Sequence, residues 1–141
     1  RLYRALVDNE YAVDVSGWSE STIDPYLYRI IITNHPKRKP EESITVLDAE
    51  IQKLQDGLIS KAEITRAVKQ ASAVFAYGSE NITHQAFWMG YVEMFSSYEW
   101  FDTYLDKLAK VTPKDVQRVA QKYFQPKSRV IGIYVPNGAE A

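Results

Sequence analysis

The spacing of apolar residues changes period along the chain. In LYRALVDN, Leu2 and Leu6 share one side with Tyr3 and Val7, which predicts the end of a helix terminated by Asn9. YAVDVSGWSE then alternates, placing Tyr11, Val13 and Val15 on one face and Ala12, Asp14 and Ser16 on the other. That is the period of a half-buried strand. STIDP is a turn closed by Pro25. YLYRIIITNHP reads as a second strand, with Ile30, Ile31 and Ile32 buried on both faces. The short polar connection predicts an antiparallel pair.

After KRKP the period becomes helical. Ile44, Leu47, Ile51, Leu54 and Leu58 form one stripe, and Gly57 stands where a left-handed cap is expected. Ser60 to Glu63 is a capping box that opens a second helix, with Ile64, Ala67, Val68, Ala71 and Phe75 inward and Gly78 as its stop. An aromatic helix is expected from about Thr83 to Phe95, capped by Thr83. Phe87, Trp88, Tyr91 and Phe95 would form its core-facing stripe, the alternative being a peptide or partner groove. Another helix covers about Tyr98 to Leu108. Thr112 and Pro113 then start one that turns Val116, Val119, Ala120 and Tyr123 inward. RVIGIYVP reads as a last strand ended by Pro136. The fold class is therefore α+β: an antiparallel-rich sheet of about three strands, with several helices packed on one face.

Composition narrows the function more than the fold. With 45% hydrophobic and 25% charged residues, the 141-residue chain can bury a real core. A net charge of −1 gives no field for nucleic acid, and the basic run HPKRK reads as a solvated turn. The absence of cysteine removes disulfides and thiolate metal sites. It fits a reducing compartment; a cytoplasmic location is expected, with periplasm or organelle as the alternatives. No apolar run approaches the roughly 18 residues of a membrane span. The chain starts at Arg1 inside an apparent helix, so residues 1–136 are read as a domain truncated at its N-terminus, with 137–141 as a tail.

Candidate chemistry is sparse. The two histidines, His35 and His84, form no His-x-x-Glu-His motif or relative of it, so no metal ligands are expected. No serine stands in a G-x-S-x-G frame, and the six glycines form no phosphate loop. Arg4 and Tyr11 are separated by six residues at the head of the first strand. On spacing alone, Arg4 would pair with Asp8 and Tyr11 would pack on the sheet edge.

The order of these segments resembles the C-terminal, non-zinc part of a peptidase M16 domain, the family of pitrilysin, insulinase and mitochondrial processing peptidase. The residues that carry the resemblance are LYRALVDNEYAVDVSG, YLYRIIIT, PEESITVLDAEIQKLQDGLISKAEITRAVKQ, FAYGSENITHQAFWMGYVEMFSSYEWF and VTPKDVQRVAQKYFQPKSRVIGIYVP. The resemblance implies paired α/β halves that clamp an unfolded peptide. One half bears zinc on an inverted His-x-x-Glu-His motif, which this sequence lacks. The chain alone is then expected to be inactive and without cofactor, the zinc residing in a partner N-terminal domain. In many members the metal-free half offers an Arg and a Tyr to substrate carbonyls, and Arg4 and Tyr11 match that R-x6-Y spacing. The expected partners are the zinc-bearing domain and a peptide, with neither nucleic acid nor membrane. Dimerisation through open sheet edges is a further expectation. The alternative function is an M16-like scaffold without catalysis, or a peptide-binding or dimerising module.

Overall fold

In a computed structural model, which describes residues 1–136, the two N-terminal strands pair as the alternation requires. Helix α1 (Leu2–Leu6) leads into β1 (Ala12–Ser19), and β2 (Tyr28–Asn34) returns antiparallel to it. The helices α2 (Pro40–Asp56), α3 (Lys61–Gly78), α4 (Ile82–Glu93), α5 (Glu99–Ala109) and α6 (Pro113–Tyr123) follow, then a 3-10 turn (Pro126–Ser128). The chain divides into two compact units. One comprises Arg1–Ser19, Tyr28–Gly57 and the segment from Gln117 onward. The other comprises Glu20–Leu27 and Leu58–Val116.

In the first unit, α1 packs on α2 and β1, and α2 lies against β2. Its buried residues are Leu6, Ala12, Ser43 and Ala120. The ribbon departs from simple alternation in one place. Ala12 faces Asn34 and Asp14 faces Thr33, so Val13 is an extra residue, a β-bulge. The bulge moves the strand's phase by one. Ala12, Val15 and Gly17 share the covered face with Asn34, Ile32 and Ile30, whereas Val13 is exposed. The expected inward set of Tyr11, Val13 and Val15 is corrected accordingly. The expected two-sided burial of β2 also fails. Ile30 and Ile32 are half-buried, but Ile31 points away from the covered face and is 51% exposed.

The sheet has two strands among the described residues, not three. The segment Arg129–Pro136 leaves the 3-10 turn without pairing to β1 or β2, and Val130 and Tyr134 are 94% and 89% exposed. β-propensity favours an extended backbone but does not supply the neighbouring edge that makes it a strand. Arg129 nonetheless anchors the start of the segment by a two-pronged ion pair to Asp48 on α2.

Helix starts follow local chemistry. Pro40 opens α2, where the Glu42 carboxylate accepts from the Lys39 N–H at 3.1 Å. Ser60 Oγ accepts from Glu63 N at 3.1 Å, as its capping-box position requires. Thr112 and Asp115 cap α6 reciprocally: Asp115 N donates to Thr112 Oγ1 at 3.3 Å and Thr112 N to Asp115 Oδ2 at 3.0 Å. Asn81, not Thr83, caps α4, its Oδ1 accepting from His84 N at 2.9 Å. Gly57 ends α2 in an extended conformation (φ −138°, ψ 160°) rather than the left-handed one. On α6, Ala120 is buried, but Val119 and Tyr123 are exposed.

In the second unit, α5 packs on α3 and α4. Phe75 of α3 sits between Phe101 and Tyr104 of α5, at ring separations of 4.7 and 5.1 Å. Val92 is its fully buried residue. Half of the expected aromatic stripe is not core: Phe87 is 61% exposed and Trp88 is exposed too, whereas Tyr91 and Phe95 are half-buried. These rings pack on one another, Phe87 to Tyr91 at 5.9 Å and Tyr91 to Phe95 at 5.2 Å. α4 is apolar on nearly every side, so its sequence has no polar face to set its orientation. Among the described residues no helix is long and apolar enough to cross a membrane.

Candidate functional site

A five-residue helix leaves most of its carbonyls without intrahelical donors. The corner from Arg4 to Tyr11 supplies them. Asn9 Nδ2 donates to Arg4 O at 2.8 Å and to Ala5 O at 3.3 Å, so Asn9 terminates the helix through its side chain. Glu10 N donates to Val7 O at 3.0 Å, and Tyr11 N to Leu6 O at 2.8 Å. To close this turn Glu10 adopts φ 58°, and the chain leaves directly into β1.

The other side of Tyr11 is held by residues 24 or more positions away. Its carbonyl accepts from His35 N at 3.0 Å and from Ser43 Oγ at 3.2 Å. Ser43 is buried in the first turns of α2, so its hydroxyl joins that helix to the corner. The Tyr11 ring lies under the Arg38 guanidinium, 4.7 Å from carbon to ring centroid. Arg38 Nε donates to Glu10 O at 3.3 Å, and its Nη1 lies 3.6 Å from Glu42 Oε1.

Both candidate residues therefore belong to one corner of the first unit. Tyr11 is half-buried and Arg4 exposed. Among the described residues, the Tyr11 hydroxyl and the Arg4 guanidinium have no hydrogen-bond or ion-pair partner. The Arg4–Asp8 pair that helical spacing suggested is not formed.

Arg38 and Ser43 were missed by sequence reasoning. Nothing local marks them, because the residue they serve lies far back in the chain. The one available sign was that HPKRK directly follows the strand paired with β1. Asn34, the last residue of β2, also lies on the covered face, where its Nδ2 is buried with no partner among the described residues.

Neither histidine is arranged for metal. His35 Nδ1 accepts from Lys37 N at 3.2 Å, and His84 Nδ1 lies 3.2 Å from Asn81 Nδ2. No group of three or more His, Cys, Asp or Glu among the described residues could hold an ion. The first unit also has an open cleft of about 540 Å³ lined by Gln52, Gln55, Asp56, Gln121, Gln125 and neighbours. Its amides are engaged in helix ends. Gln55 Nε2 donates to Phe124 O at 2.7 Å, while Gln117 and Gln121 donate to Gln55 O at 3.0 and 2.7 Å. The cleft is thus a structural seam, apart from the corner that carries Arg4 and Tyr11.

No protein-family model matches the chain, and no curated protein matches it. Solved structures do. A proposed zinc protease from Bordetella pertussis Tohama I superposes with a TM-score of 0.84 at 23% identity, over 97% of this chain and 75% of its own. The inactive peptidase domain of a proposed zinc protease from Bordetella parapertussis gives a TM-score of 0.86 at 23% identity, over 100% of this chain and 75% of its own. The chain therefore has the fold of these zinc-protease domains, as its resemblance to peptidase M16 led us to expect.

Proposed function

We propose that this chain is the metal-free, substrate-gripping half of an M16-type zinc peptidase, with Arg4 and Tyr11 presented to the backbone of an unfolded peptide. The observation that carries the reading is their combination of anchorage and freedom. The backbone at Tyr11 is fixed by three hydrogen bonds, while the phenol and guanidinium tips have no partner among the described residues.

Activation of the attacking water is the chemistry zinc supplies, from a partner domain. This chain's residues act on the carbonyl side. The Tyr11 O–H donates to the carbonyl oxygen as negative charge grows there. Arg4, through its forked guanidinium, holds a neighbouring carbonyl and keeps the scissile bond in register. Such recognition reads peptide backbone rather than side chains, which suits an unfolded substrate.

The test uses the complete protease, this chain together with its zinc-bearing half. Tyr11→Phe keeps the ring and deletes the donor. It is expected to lower kcat by about 10²–10³-fold, the usual loss for one oxyanion donor. Unchanged turnover would remove Tyr11 from the mechanism. A second reading, a scaffold without catalysis, is favoured by the naming of the Bordetella parapertussis domain as inactive. A parent protein without His-x-x-Glu-His in any chain would decide for the scaffold.

A further inference from the structure

The basic run HPKRK follows β2 directly and lies beside the corner, and one of its cations covers the Tyr11 ring. We infer that Arg38 is the positioning residue for the Tyr11 phenol, an inference that rests on the proposed role of Tyr11. Backbone hydrogen bonds place the Cα of Tyr11, but they leave the ring free to rotate about its side-chain torsions. The guanidinium plane above the ring, 4.7 Å from its centroid, supplies the missing restraint.

Arg38 is itself held on several sides. Its backbone N donates to His35 O at 2.9 Å, Nε donates to Glu10 O at 3.3 Å, and Nη1 lies 3.6 Å from Glu42 Oε1. Glu42 is fixed in turn by the Lys39 N–H at the start of α2. A line of contacts thus runs from the first turn of α2, through Glu42 and Arg38, to the phenol. Only a planar, forked cation can bond Glu10 O, reach Glu42 and cover a ring at once. A lysine ammonium at the same position would keep the charge and lose the fork. The rival account is an ordinary exposed ion pair with Glu42, worth little by itself. That pair would require neither the ring contact nor the bond to Glu10 O.

The experiment combines a double-mutant cycle in the complete protease with 19F NMR of this chain carrying 3-fluorotyrosine. The Tyr11 resonance is assigned by its loss in Tyr11→Phe. Arg38→Gln is expected to lower kcat on the order of tenfold to a hundredfold with KM little changed, because a misplaced donor still permits binding. Arg38→Lys should recover part of that loss. In the Tyr11→Phe background, Arg38→Gln should cause no further loss, since the residue acts through the hydroxyl already removed. The Tyr11 resonance should move toward the free fluorotyrosine position in Arg38→Gln and only partway in Arg38→Lys. Equal losses from Arg38→Gln in both backgrounds would overturn the inference and leave the role of Tyr11 standing. So would a full effect of Tyr11→Phe with none from Arg38→Gln. If Tyr11→Phe leaves kcat intact, the proposed function fails. The NMR then decides the rest: an unmoved Tyr11 resonance in Arg38→Gln refutes the positioning itself.

Discussion

At the corner between α1 and β1, Glu10 takes a backbone conformation that suits glycine. Its φ of 58° is the one positive value at a non-glycine position among the described residues. For an L-residue that shape costs roughly 1–2 kcal/mol. The turn imposes it, because Glu10 N and Tyr11 N both reach back to the end of α1. Glu10→Gly is therefore expected to stabilise the chain by about 0.5–1 kcal/mol, part of the strain relief being offset by a more flexible unfolded state. Urea denaturation would measure the shift in midpoint, and a loss of stability would mean the Glu10 side chain does more than fill the turn. At this scale the sequence was half legible. The spacing of Arg4 and Tyr11 and the stop at Asn9 could be read directly. Arg38 and Ser43 could not, because the contacts that define them join residues 27 and 32 positions apart.

Elements were legible where their signals are local. Ser60, Thr112 and Pro113 announce helix starts because capping needs only the next three residues. The bulge at Val13 and the unpaired segment after Arg129 were illegible, since both depend on what lies beside the strand. The seam between α2 and α6 belongs to the same class. Gln55 Nε2 donates to Ala120 O at 3.2 Å and Phe124 O at 2.7 Å, and Gln55 O accepts from two further glutamines. Gln55→Ala keeps the backbone acceptor but strips the donor from two partly buried carbonyls. It is expected to cost about 1–3 kcal/mol. Guanidinium chloride unfolding with an unchanged m-value would confirm a loss of stability rather than a change of compactness. Gln55→Glu should be no better above pH 6, because a carboxylate cannot donate and would face the same carbonyl oxygens.

On the scale of the molecule, the first unit is assembled from three separate stretches of chain. Charged pairs tie them together: Arg129 joins Asp48, and Arg1 reaches Glu50 at 3.3 Å. The hydrogen bond from Lys53 is the largest influence on Glu50, and with the Lys53 charge and Arg1 it outweighs burial. The Glu50 carboxyl is held below its ordinary value of 4.5. The sign follows from linkage. A depressed carboxyl adds stability that is complete above its unfolded value and is lost as the pH falls through the folded one. Glu50→Gln should cost about 0.5 kcal/mol at pH 7. It should also flatten the fall in stability below pH 4.5, so that the two proteins converge as the pH falls through the folded value of Glu50. Thermal melts across pH 2–7 would show it, and parallel curves would assign the acid sensitivity to other carboxylates. The M16 resemblance captured the order of the first two strands and the helices after them, but not the unpaired last segment. It could not show the exposed rings of α4, because exposure depends on what each helix packs against.

The extra residue in β1 has one more consequence. Because the partners of Ala12 and Asp14 are neighbours on β2, the ladder absorbs that residue as a local kink instead of passing it along. A chain shortened by that single codon would close into an unbroken ribbon with Ala12 still on the covered face, and would straighten the path by which the strand enters the corner.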